Sequence, residues 1–382
     1  MSRVGCLSAA LALAIAAAAC ADDGSSESTA VSTTADTTVE TPTASDSPSE
    51  TGPIDVTVDV RFAEASPDLV RWSDPLLDVY SPPGGDNLPL VVMLPPHSLT
   101  KQNSATVQLA NSVAEQGAVV AVVNWSELEN PPEAYEDPAL LTGIARAGQS
   151  VADCAVSFAA SRADEYSADP SRLVLVGELY GANAASMVAL GTADPLPGCR
   201  TPDTGWGATG LIGVNADWLV TAPFFDNVAS AAVGAFSPWT LLDQAPMIPT
   251  RLVVTPAAAT VGTRCDDPGA DWMTLRDPTG AMREQLDAVG GFDDGCIDLG
   301  DEAKATAEEM SARGLPADVV WLTNSDAATR SGSGGQVLEF GQADLDLLDD
   351  TIIDTAQISD LSLIHISEPT RRRDSSRMPS SA

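Results

Sequence analysis

Histidine is almost missing from this chain: its 382 residues carry two, His97 and His365. That scarcity removes the commonest general base and metal ligand from nearly the whole sequence. With no His pair, no C-x-x-C and no D-x-D-x-D-G loop, neither a metal site nor a cofactor is expected. Basic charge is scarce too. Lys and Arg total 19 against 54 Asp and Glu, for a net charge of −35, and the only lysines are Lys101 and Lys304. Nucleic acid is excluded as a partner on this balance, because binding it rests on Lys and Arg. The acidity reads as a solvated surface. No membrane-spanning run is apparent either: the apolar stretch Leu7–Ala19 falls short of the ~20 residues that cross a bilayer.

What that stretch does offer is an export signal, with Arg3 as a positive start and small residues leading to a cysteine. Ala17-Ala18-Ala19-Cys20 resembles a bacterial lipobox. The resemblance implies cleavage after residue 19, diacylation of Cys20 and an extracytoplasmic protein anchored in the cell membrane, where two acyl chains hold nearly permanently. Secretion after ordinary cleavage is the alternative. Residues 20–53 are Ser, Thr, Asp, Glu, Ala and Pro with little to bury, and read as a disordered tether of roughly 30 Å reach. Beyond Cys6 and Cys20, four cysteines remain in an oxidising compartment: Cys154, Cys199, Cys265 and Cys296. Two disulfides are expected. Three connectivities are open, with Cys154–Cys199 and Cys265–Cys296 favoured because each closes a local unit.

The other end is anomalous. Leu361 to Arg371, LSLIHISEPTR, resembles the conceptual translation of a sequencing adaptor, and Ser376 to Ala382 the matching flow-cell end. Residues 361–382 are therefore set aside from the fold, and His365 with them.

Between these ends, residues 54–358 alternate buried-strand and helical patterns. Strands are expected at Val56–Phe62, Leu76–Ser81, Leu88–Leu94, Ala118–Asn124, Leu173–Val176, Leu211–Val214, Arg251–Thr255 and Asp318–Thr323. Helices are expected near 101–116, 140–162, 182–190, 300–313 and 341–356. Pro82-Pro83-Gly84-Gly85 gives a hairpin-type turn signal between the second and third strands. The alternation implies one α/β domain, a mostly parallel sheet with helices on both faces.

Leu173-Val174-Leu175-Val176-Gly177-Glu178-Leu179-Tyr180-Gly181-Ala182 has the frame of a strand–turn–helix elbow, with small residues behind it. With Leu77-Asp78-Val79-Tyr80-Ser81-Pro82, the strand Leu90–Leu94 and Asp169-Pro170-Ser171-Arg172, it resembles the α/β-hydrolase superfamily, esterases and dienelactone-hydrolase-like members in particular. That resemblance implies a serine where Leu179 stands. It also implies an oxyanion loop at Pro95-Pro96-His97-Ser98, where two prolines lack an N–H and His97, Ser98 and Tyr180 would have to donate. The family acid would follow Arg251–Thr255, in a loop whose first carboxylates are Asp266 and Asp267; Asp217, beside Trp218, is the surviving substitute, although an exposed loop position is expected for it. The base would follow the last strand, where Asn324-Ser325-Asp326-Ala327-Ala328-Thr329 has no histidine.

With nucleophile, base and acid positions all altered, ordinary serine hydrolysis is not expected. The sequence reads as a catalytically degenerate domain whose cleft, lined by His97, Ser98, Glu178, Leu179, Tyr180 and Asp217 with Trp125 and Trp218, takes a small organic ligand or a protein segment. The alternative is an ester-type hydrolase with relocated groups, Glu178 or Asp217 acting with His97.

Overall fold

A computed structural model describes residues 52–64, 74–96, 99–125, 137–191, 199, 206–219, 237–256, 281–290, 296–323, 326–328 and 337–365. All of them fall in one unit, Glu50–Ala382. The export signal, most of the tether, and the tail beyond 365 lie outside these residues.

Eight strands form the main sheet: β1 (Asp55–Arg61), β2 (Leu76–Ser81), β3 (Leu88–Leu94), β4 (Val119–Val123), β5 (Ala168–Glu178), β6 (Gly210–Val214), β7 (Thr250–Val254) and β8 (Ala317–Trp321). Their order is β1-β2-β4-β3-β5-β6-β7-β8, with β1, β2 and β4 antiparallel neighbours and everything from β4 to β8 parallel. The expected turn at Pro82–Gly85 therefore closes no hairpin. It carries the chain past the β4 position, and β3 lies parallel between β4 and β5.

The central strands read as continuous apolar runs because both faces are covered, and successive side chains enter different cores. Leu90, Val92, Leu94, Leu173 and Leu175 pack on one side with α2 (Pro138–Ser161), α3 (Tyr180–Leu190), α4 (Ala281–Ala288) and α5 (Leu299–Ala312). Val91, Met93, Val174 and Val176 pack on the other with α1 (Ser104–Glu115) and α6 (Gln342–His365). Local signals set the helix starts. Asn103 caps α1 by accepting from the N–H groups of Ala105 and Thr106, Asp137 caps α2 ahead of Pro138, and Asp298 with Asp301 forms a capping box on α5.

Two features differ from expectation. A short hairpin, β9 (Asp326–Ala328) with β10 (Val337–Glu339), follows β8. And α6 continues to His365, five residues into the segment set aside, because neither proline nor glycine interrupts the chain from 342 until Pro369.

Candidate functional site

β5 ends and α3 begins at the elbow, and the turn between them is as tight as the sequence frame implies. Leu179 has φ 53° and ψ −118°, a backbone conformation that costs a leucine on the order of 1–3 kcal/mol. The surroundings enforce it. A Cβ on Gly177 would overlap the Gly181 carbonyl, and a Cβ on Gly181 would overlap the carbonyls of Leu94 and Pro95. Only glycine lets the elbow close against the end of β3. The turn is further fixed by the Leu179 N–H donating to Val214 O (2.8 Å) and by Ala182 N–H donating to Leu179 O (2.9 Å). Leu179 is also the N-cap of α3 and supplies no side-chain cap. Leu179 and Tyr180 are half-buried. No atom of the leucine side chain can attack a carbonyl or accept a proton.

Glu178 takes the face that strand alternation assigns to it. Like Val174 and Val176 it points toward α1, where it is 2% exposed and its Oε1 accepts from Thr106 Oγ (2.9 Å) while Oε2 has no hydrogen-bond partner. Burial without a compensating charge pushes its carboxyl up to about 7. As a relocated acid or base, Glu178 is thus committed to the helix beneath the elbow.

The loop after β3 is pinned at both ends. The Trp125 indole donates to Pro95 O (2.8 Å), and Leu99 N–H donates to Pro96 O (3.1 Å). At the other end the Lys101 N–H donates to Asn124 Oδ1 (2.9 Å), and its ammonium bonds Asp78 (2.5 Å) and Asp59 (2.9 Å). Burial opposes the charge of Lys101, but the bonds to Asp78 and Asp59 outweigh it and hold the ammonium above its ordinary value. His97 and Ser98, between these anchors, lie outside the described residues.

Around the candidate acid Asp217 the structure shows amide side chains acting as ties. Asn215, at φ 51° just past β6, donates through Nδ2 to Thr255 Oγ (2.7 Å) and accepts from Thr255 N–H (2.9 Å), which ties the ends of β6 and β7 together. Asn183 of α3 makes a second two-bond bridge, donating to Asp217 O (2.6 Å) and accepting from Asp217 N–H (3.1 Å). Glu302 accepts from Leu219 N–H (3.1 Å), and Ser237 donates to Trp218 O (2.8 Å). Asp217 is therefore not the exposed loop aspartate expected: these bonds hold its segment down and leave it 7% exposed. Asp266 and Asp267 lie outside the described residues.

Trp125 and Trp218, expected in the cleft wall, are instead core residues at 6% and 1% exposure. Trp125 is turned inward by its bond to Pro95, and Trp218 packs among Gly213, Leu252 and Ala303 with no room left for a water molecule. At the base position, Leu322 and Thr323 follow β8, Thr323 N–H donates to buried Asp344 (3.0 Å), and the β9 strand occupies Asp326–Ala328. Among the described residues no group of three or more His, Cys, Asp and Glu side chains is arranged to hold a metal ion.

Behind the elbow, Cys154 on α2 is disulfide-bonded to Cys199, with their Cα atoms 5.5 Å apart. This is the first of the two favoured pairings. Cys296 is also disulfide-bonded; Cys265 lies outside the described residues.

No protein-family profile matches the chain, and no curated protein does. Solved structures do. Esterase B from Lactobacillus rhamnosis, inhibited by a C4-C4 tributyrin phosphonate, superposes with a TM-score of 0.51 at 11% identity, covering 81% of this chain and 88% of the esterase. A second structure of esterase B from the same organism gives 0.50 at 11% identity, over 81% and 88%. Strand order, the parallel core and the elbow at the end of β5 agree with that likeness, and the domain has an α/β-hydrolase fold.

Proposed function

We propose that the chain is a cell-envelope lipoprotein, anchored through Cys20, whose hydrolase-like domain binds a small organic ligand or a partner segment without hydrolysing esters. The observation that carries this reading is Leu179: the elbow keeps its strained backbone, at φ 53° and ψ −118°, around a side chain with no nucleophilic atom. Strain of this kind persists where surrounding structure fixes it, and an apolar residue presented there offers contact area instead of chemistry. The loss of a histidine after β8, and of a carboxylate at the start of the loop after β7, agrees with it. A triad with its nucleophile and base both replaced falls by about 10⁶ in turnover.

The test uses the purified full chain with short-chain nitrophenyl esters and a phosphonate probe. No turnover above buffer and no labelling are expected. Turnover abolished by His97→Ala, Glu178→Ala or Asp217→Ala would overturn the reading in favour of a relocated catalytic site. Anchoring is tested separately: Cys20→Ser should release the protein from the membrane fraction, and unchanged fractionation would refute the lipid anchor.

A further inference from the structure

Two buried carboxyl groups, from different elements, reach the same helix. Glu178 at the end of β5 bonds Thr106 in the first turn of α1, and Asp349 of α6 bonds Ser112 nearer its other end. In each, one oxygen takes the hydroxyl and the second is buried with no hydrogen-bond partner, Oε2 in Glu178 and Oδ1 in Asp349. The two residues are 2% and 1% exposed.

We propose that α1 is held by a pH-sensitive latch, in which Glu178 and Asp349 bind its hydroxyls in the protonated state and their ionisation loosens the helix. A neutral carboxyl can exchange donor and acceptor roles with a hydroxyl and leaves no charge in the core. A carboxylate in either position would leave a buried anionic oxygen without a hydrogen-bond partner. The neighbouring charges do not relieve this. Facing Asp349 are Asp346 and Asp350 on α6 and Glu115 on α1, all acidic. Beside Glu178, β3, β4 and β6 carry no titratable side chain. On β2, Asp78 is committed to Lys101 and Tyr80 is neutral, while Asp344 of α6 accepts from Thr323 N–H.

Burial pushes both carboxyls up to about 7, Glu178 from 4.5 and Asp349 from 3.8, and the acidic neighbours of Asp349 act in the same direction. When α1 is released, both revert toward ordinary values. The closed state then holds more protons than the open one between about pH 4 and 7, so closure weakens as pH rises through that window and stays weak above it. Glu178 directly precedes Leu179, so the latch would act on the elbow whether a site there binds or reacts.

Amide hydrogen exchange on the full chain tests this, read as protection factors at about pH 5 and about pH 8. Expected in the wild type is at least about a tenfold loss of protection along α1, against less than about threefold along α3. E178Q/D349N should abolish the difference, since the amides keep the hydroxyl bonds and do not ionise. D153N serves as control: Asp153 on α2 is pushed up to about 6 by burial, and its loss should leave the α1 response intact. If the double variant does not fold, each single variant should reduce the loss by itself. Protection of α1 that is constant with pH, a response shared equally by α3, or one that survives both amide substitutions would overturn the proposal.

Discussion

The two halves of the sheet's edge at the ends of its parallel strands are built in different ways. From β3 to β5 the chain is closed by backbone against backbone: Gly177 and Gly181 allow the elbow to touch the end of β3, and the β3 loop is clamped by Trp125 and by the Lys101–Asp78–Asp59 cluster. From β6 to β8 it is closed by side-chain amides and carboxylates, Asn215 to Thr255, Asn183 to Asp217, Glu302 to Leu219. The first half closes on a strained turn with Leu179 at its apex. The second is a set of side-chain ties between strand ends and the segments beside them. Where the chain must reverse at one residue, close backbone packing fixes it; where separate segments meet, side chains do.

Breaking the first half should cost most. Gly181→Ala drives a methyl into the Leu94 and Pro95 carbonyls, neither of which is the end of a flexible side chain, and we expect a loss of at least about 3 kcal/mol in denaturant unfolding. Lys101→Met should cost about 3 kcal/mol, because it leaves Asp78 buried and unpaired, and adding Asp78→Asn should recover part of that loss. Asn215→Ala addresses the second half. It removes two bonds and orphans Thr255, for a smaller expected loss of about 2 kcal/mol by the same measurement. Least of all should follow from Leu179→Ser, for which ester turnover is expected to stay at background, since among the described residues the only histidine is His365, at the end of α6. Activity in that single variant would show that the second half still holds a working proton acceptor.

The first half was largely legible in the sequence because its signals are local. Leu88–Leu94 and Leu173–Val176 are runs that only a strand buried on both faces explains, and the spacing of Gly177 and Gly181 states the turn directly. The place of β3 was not legible: a Pro-Gly turn looks the same whether the next strand pairs with its predecessor or crosses beyond it. Nor were the ties of the second half. Asn183, Asn215 and Asp217 are residue types common on surfaces and in turns, and their burial depends on partners 34 to 40 residues away. The β9–β10 hairpin and α4 escaped notice because three-residue strands and an eight-residue polar helix are too short for periodicity to register.

The Cys154–Cys199 bond has a topological consequence. It makes residues 154 to 199 a covalent ring, and the whole elbow lies on that ring, together with all of β5 and α3. A protease that cuts once anywhere inside the ring opens it without separating its ends, so the halves remain one molecule until a reductant arrives. Wherever proteases act and reductants are scarce, that keeps a nicked copy from shedding the strand at the centre of its own sheet.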